Sequence, residues 1–247
     1  MTERNGASLL YSGGPDSTLA AIELAKEFDL IHLLTFKIGK LHLFTKSWPS
    51  HSANELCEII RGDKFVHRYI NIKHLHKTLV SGHLIEDYRK YRSVFVWCGG
   101  CKMAMHTQAA IYNIENNIKY LADGMNIMEA NYVEQKPRTL EQIREFYARY
   151  GITCLNPIYY DKDKRLRHER LRDMGFSLGH YGKLKLLPKI RDRKFGIQPL
   201  CIGGILSHLP MDLFGIDSGY DQKMVEDFFA DKIEVSIKYI DEHTTQY

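Results

Sequence analysis

A pair of glycines set between an apolar run and a helix-like segment constrains this chain more than any other feature. Ala7 to Tyr11 is a short apolar run, Ser12-Gly13-Gly14 is a turn, and Pro15 to Phe28 carries apolar residues at Leu19, Ala20, Ile22, Leu24 and Ala25. The pattern predicts strand, tight loop and helix in succession. Pro15 suits a first helical turn, where its missing N–H costs nothing. Adjacent glycines let the backbone come close to an anion, the helix start offers N–H groups, and Ser12 and Ser17 add hydroxyl donors. A phosphate-sized loop is expected here. It is not a Walker A loop, because no Gly-Lys-Ser/Thr closes it.

Further apolar runs predict strands over Leu30 to Phe36, Phe65 to Ile72 and Ile118 to Ala122, the last ending at Asp123-Gly124. Helices are expected around Ser52 to Arg61, Leu75 to Tyr91, Lys102 to Asn116, Thr139 to Tyr150, Lys164 to Met174 and Asp221 to Ile240. Alternating strands and helices imply an α/β fold, a parallel doubly wound sheet with helices on both faces, binding its ligand at the carboxyl ends of the strands. The alternation weakens after Gly124, and Gly175 to Leu209 reads as irregular. Composition divides the chain into a nucleotide-sized domain over 1–150 and a smaller, mostly helical C-terminal part over 151–247.

A chain of 247 residues, 44% hydrophobic and 26% charged, is long enough to bury a sizeable core. No run of about 18 apolar residues occurs, and the first residues lack a charged-then-apolar leader pattern. The reading is a soluble, cytoplasmic protein with no membrane partner. Five cysteines are odd and sparse, which argues against a disulfide framework and for reduced thiols. The net charge of +4 is unevenly placed: Lys162 to Lys194 holds twelve Lys/Arg against four acids, and Asp221 to Glu242 holds three against seven. The basic stretch suits either a polyanion such as RNA or a solvated helix face.

The order Ser-Gly-Gly-x-Asp-Ser resembles the PP-loop of the ATP pyrophosphatase family, whose fold is Rossmann-like, of the adenine nucleotide alpha hydrolase type. The resemblance implies that Ser12, Gly13, Gly14, Asp16 and Ser17 bind the departing pyrophosphate of ATP, with Asp16 helping to place Mg²⁺. It further implies that Thr35 and Phe36 contact adenine through their backbone, and that Gly124 lies near the ribose and α-phosphate. Several tRNA-modifying relatives carry Gly-His-x-x-Asp-Asp at that place. This chain reads Gly124-Met125-Asn126-Ile127-Met128-Glu129, keeping the glycine and, at the acidic end, Glu129.

Cys98-Gly99-Gly100-Cys101 precedes a predicted helix, and its spacing suits one metal centre, a redox pair or two unconnected thiols. The ATP-dependent tRNA thiolation enzymes of the PP-loop family are similar here, with a Cys-x-x-Cys before the fourth strand and a third cysteine about a hundred residues on, a place taken by Cys201. In them three thiolates hold a four-iron, four-sulfur (4Fe-4S) cluster with one open iron. Zinc and no metal are the alternatives. Cys57 and Cys154 read as small core residues. His106 reads as an ordinary helix or core histidine with a possible ligand role, and His74 and His76 as lacking a cysteine partner at ligand spacing. Lys102 and His106 stand one helical turn apart, and Lys102 is a candidate cation for the α-phosphate.

The implied function is adenylation of a substrate oxygen with release of pyrophosphate, then displacement of AMP, with sulfur transfer to a tRNA base as the leading case and a homodimer as the implied assembly. A second reading follows a resemblance to 7-cyano-7-deazaguanine synthase, or to an enzyme inserting sulfur into a small molecule, with zinc or no metal. That synthase has four zinc cysteines near its end, which this chain lacks. A third is a regulatory nucleotide-binding protein without turnover.

Overall fold

Apolar residues alternate along the first two strands, so that each strand feeds two cores at once. The computed structural model describes residues 5–38, 42–43, 47–60, 63–129, 132–177, 200–201 and 221–244. β1 (Gly6–Leu10), β2 (Leu30–Lys37), β4 (Phe65–Asn71), β5 (Tyr120–Asp123) and β6 (Thr153–Leu155) form one sheet in the order β4-β2-β1-β5-β6. All its pairings are parallel, with Leu10 opposite Leu34 on one side and Asp123 on the other. Leu9, Leu33 and Ala122 face the core under α1 (Pro15–Leu24), α2 (Ser47–Ile59) and α7 (Lys164–Asp173). Leu10, Leu34 and Leu121 face the opposite core, under α5 (Phe95–Glu115), α6 (Pro137–Ala148) and α8 (Gln222–Thr244).

The strand order places the site. From β1 the chain builds outward to β2 and β4, then crosses back over the sheet to β5 and β6. The order reverses between β1 and β5, and ligands of open parallel sheets bind at the carboxyl ends flanking such a reversal. The turn of Ser12 to Gly14 and the Asp123–Gly124 end of β5 are the two sides of that crevice.

The observed elements correct several expectations. α2 starts at Ser47 rather than near Ser52. The stretch read as one helix over Leu75 to Tyr91 is broken into α3 (Lys73–His76), a π-helical turn over Lys77–Ser81 and α4 (Leu84–Tyr91). α5 starts at Phe95, so Cys98 and Cys101 lie inside the helix and not ahead of it. Thr153–Leu155 adds a fifth strand that was not expected. A two-residue strand β3 (His42–Leu43) pairs antiparallel with β7 (Leu200–Cys201). Most of the segment read as irregular, and the basic residues beyond Ser177, lie outside the described residues. No helix among the described residues is long and apolar enough to cross a membrane.

Candidate functional site

The loop after β1 is held open by its own hydroxyls. Gly13 has φ +75°, a conformation that side-chain-bearing residues adopt at a cost, and Gly14 is extended and caps α1 with Pro15 following. Ser12 Oγ accepts from the Gly14 amide at 3.2 Å and lies 3.1 Å from Ser17 Oγ, whose hydroxyl donates to the Gly14 carbonyl at 3.1 Å. α1 begins with no side-chain cap, so its positive end faces the turn. A Cβ placed on Gly124 would stand 3.1 Å from the Ser17 backbone nitrogen, which shows how closely the end of β5 abuts the start of α1. The structure thus brings Ser12, Gly13, Gly14, Asp16, Ser17 and Gly124 together.

Thr35 and Phe36 lie in the part of β2 that extends beyond its last β1 partner, Leu34, and they pair with Tyr69 and Ile70 on the β4 side. The buried Thr35 hydroxyl donates to the Tyr11 carbonyl at 2.7 Å and lies 2.8 Å from His67 Nε2. Its side chain is therefore engaged within the fold, and the backbone is what this strand end has to offer a ligand. Burial holds His67 neutral, its pKa pushed down to about 4.

Two residues that the sequence reading passed over complete the loop's surroundings. Trp48, at the start of α2, donates its indole N–H to the Gly13 carbonyl at 2.8 Å. Arg167, on α7, is fully buried, and its Nε donates to Asp16 Oδ1 at 3.0 Å. Its Nη1 donates to the Asp161 carbonyl, while Nη2 is buried with no hydrogen-bond partner among the described residues. The basic helix α7 was read as facing RNA or solvent; this arginine turns inward beside buried Leu171, and Arg165 and Arg170 are exposed. The signal was present in the four-residue spacing of Arg167 and Leu171, which puts both on the same face.

Lys102 of α5 pairs with Asp123 at the end of β5. Lys102 Nζ lies 2.5 Å from Asp123 Oδ2, and His106 Nε2 lies 3.4 Å from the same oxygen. Burial opposes ionisation of Asp123, but the charge of Lys102 and the contact with His106 outweigh it and hold the carboxyl well below its usual range. Burial likewise holds His106 neutral, with the charge of Lys102 acting in the same direction against Asp123. Tyr147 backs the histidine: its hydroxyl donates to the His106 carbonyl at 3.0 Å and lies 2.9 Å from Nδ1. His106 is thus a buried core histidine with Nδ1 paired to Tyr147 and Nε2 without a hydrogen-bond partner among the described residues.

The cysteines are arranged differently from the expected turn. Cys98 is partly buried and Cys101 buried, one helical turn apart in α5. Gly99 and Gly100 serve packing, since a Cβ on Gly99 would come within 2.8 Å of Phe228 and one on Gly100 within 3.2 Å of Val80. His76, read as lacking a cysteine partner, has Nε2 3.2 Å from Cys101 Sγ. The backbone of Cys201 lies in β7 opposite His42, and its side chain is outside the described residues. Among the described residues no three His, Cys, Asp or Glu side chains are set to hold a metal ion. Cys57 is exposed rather than a core residue, because the inner face of α2 is taken by Ala53 and Leu56. Cys154 is buried as expected, and burial pushes its thiol up to about 12.

No protein-family model matches the chain, and no curated protein matches it in sequence. Among solved structures, a 4-thiouridine synthetase in complex with RNA and bound ATP aligns over 96% of this chain at 16% identity and TM-score 0.51. The chain spans about half of that protein, 53% of its length. A predicted subunit of tRNA methyltransferase from Methanocaldococcus jannaschii DSM aligns over 66% of this chain and 74% of its own, at 18% identity and TM-score 0.44. The first of these likenesses bears out the resemblance drawn from Ser12 to Ser17 at the level of architecture: the chain has the Rossmann-like fold of the adenine nucleotide alpha hydrolase type, with its glycine turn at the crevice where the strand order reverses.

Proposed function

We propose that this chain is an ATP-dependent enzyme of the PP-loop ATP pyrophosphatase type, which adenylates an oxygen of a tRNA base and releases pyrophosphate. The observation that carries the reading is the uncapped start of α1 at Ser12 to Ser17, packed against Gly124 at the switch point of the sheet. The loop amides and the Ser12 and Ser17 hydroxyls take the β- and γ-phosphates. Thr35 and Phe36 offer backbone to adenine, and the α-phosphate lies toward Gly124. The RNA and ATP named for the 4-thiouridine synthetase complex support ATP and tRNA as the partners.

In this reading the substrate oxygen attacks the α-phosphorus, the bond to the β-phosphate oxygen breaks, and pyrophosphate leaves on the loop. A nucleophile then displaces AMP, a far better leaving group than the original oxygen. Lys102, fixed by Asp123, stabilises charge developing on the α-phosphate. Arg167 adds a buried cation beside Asp16. A Mg²⁺ arriving with the triphosphate would be met by Asp16, whose carboxylate already carries Arg167, so the two cations share its charge. The exposed basic side chains of α7 face the polyanion, and RNA binding weakens with salt.

Sulfur is the proposed nucleophile, and Cys98, Cys101 and Cys201 are the thiols assigned to the 4Fe-4S cluster of the resemblance. Cys98 and Cys101, a turn apart beside Lys102, suit two of its ligands, and the third rests on the Cys201 side chain. The contact of His76 with Cys101 favours a second reading, in which nitrogen and sulfur donors hold zinc and the acceptor is a small molecule.

The test is product analysis on protein purified without oxygen, incubated with ATP and unmodified tRNA. AMP and pyrophosphate in equal amounts, with RNA retarded in a mercury-containing gel, support sulfur transfer after adenylation. ADP and phosphate, or no RNA-dependent turnover, contradict it. Iron with acid-labile sulfide separates the cluster from zinc.

A further inference from the structure

The peptide joining Gly13 to Gly14 has two unlike faces. A trans peptide is planar, so the Gly13 carbonyl and the Gly14 N–H point in opposite directions. The carbonyl accepts from Trp48 Nε1 at 2.8 Å, and on the other side the Gly14 N–H donates to Ser12 Oγ at 3.2 Å, into the turn. Glycine on both sides of a peptide makes rotation of that unit easy, because no Cβ opposes either orientation. Ser12 Oγ holds the N–H side of this peptide from within the turn, and the carbonyl side is held from outside it.

Trp48 holds the carbonyl side. A Cβ on Gly13 would lie 2.8 Å from Pro49 Cα and 3.3 Å from Trp48 Cδ1, so the start of α2 sits directly against this glycine. The indole is partly buried and is supported by His51, ring centroids 5.7 Å apart. We propose that Trp48 is a positioning residue for the phosphate loop: by holding the Gly13 carbonyl outward it keeps the Gly14 N–H aimed at the place of the β- and γ-phosphates. The inference rests on the proposed reading of the loop. It adds a specific consequence: Trp48 matters to ligands that carry a diphosphate and not to those that lack one.

The experiment compares the full chain with Trp48→Phe, which removes the donor and keeps an aromatic ring. Calorimetry with inorganic pyrophosphate, ATP and AMP is expected to show pyrophosphate and ATP binding about tenfold more weakly to the variant, the size of one oriented hydrogen bond, with AMP within about twofold of wild type. Parallel weakening of ATP and AMP, the mark of a general packing role, would overturn the inference, as would unchanged affinity for all three. Should Trp48→Phe not fold, the Trp97→Phe chain retains Trp48 as its only tryptophan. Pyrophosphate, and not AMP, should then shift Trp48 emission, and an unchanged spectrum overturns the proposal. Pyrophosphate binding that is lost in Ser17→Ala but intact in Trp48→Phe removes this inference alone. Failure of the wild type to bind pyrophosphate removes the reading of the loop with it.

Discussion

Arg167 Nε lies 3.0 Å from Asp16 Oδ1, joining α7 to the phosphate loop across 151 residues of chain. The two ends of this pair are unequally buried: the arginine side chain is fully buried and that of Asp16 is 26% exposed. Asp16→Asn removes the nearer of two carboxylates beside a buried guanidinium, leaving Asp161 Oδ1 at 3.7 Å, and is expected to cost about 3–5 kcal/mol. Arg167→Met leaves a carboxylate that can reach water, and about 1–3 kcal/mol is expected. Urea unfolding of both variants measures the asymmetry, and equal costs would show that the pair is not the anchor described.

Stability is expected to fall in acid in two steps. His67 takes up its proton near pH 6.5 when unfolded but only near pH 4 when folded, and His106 is shifted in the same direction. The unfolded chain then binds more protons across that window, so folding weakens as pH drops from about 6.5 to about 4. Asp123, held low by Lys102 against its burial, contributes stability that is present above its ordinary value of 3.8 and is lost below it. Thermal melts across pH should be flatter above pH 4 for His67→Gln. An unchanged profile would contradict the assignment.

Gly99→Ala is expected to destabilise the chain by about 1–3 kcal/mol, because the added methyl meets Phe228 of α8 at 2.8 Å. Chemical unfolding measures it. A neutral result would return the glycine to the role of a turn former that its sequence suggested.

Thiol chemistry separates the cysteines. Iodoacetamide at neutral pH should label exposed Cys57 and spare Cys154, whose thiol is buried and pushed up to about 12. Mass spectrometry after partial labelling reads the order, and early loss of Cys154 would contradict the packing of α6 on β6.

The strands that carry the site were legible because each is an apolar run long enough to stand out, and the motif of Ser12 to Ser17 fell where strand passes into helix. Thr153–Leu155 was missed because three residues give no periodic signal; its pairing with β5 is what makes it a strand. The glycines between Cys98 and Cys101 suggested a turn, because local propensity knows nothing of Phe228 and Val80, whose close approach makes glycine suitable within α5. Trp48, the contact of His76 with Cys101 and the pairing of Arg167 with Asp16 were invisible for the same reason, although the spacing of Arg167 from Leu171 marked that arginine as inward-facing. Each is defined by a partner distant in sequence, and a basic helix reads as solvated until something buried is found to need its charge.

Calorimetric titration of ATP into the wild type and into Gly124→Val tests most directly whether the turn after β1 holds a triphosphate. The valine Cβ would press on the Ser17 and Asp16 backbone from 3.1–3.2 Å while lying outside the turn itself. The expected result is saturable ATP binding to the wild type, displaced by inorganic pyrophosphate, and affinity at least about tenfold weaker in a variant that keeps its circular dichroism. Wild-type protein that binds no ATP, or a folded variant that binds it equally well, would contradict the account.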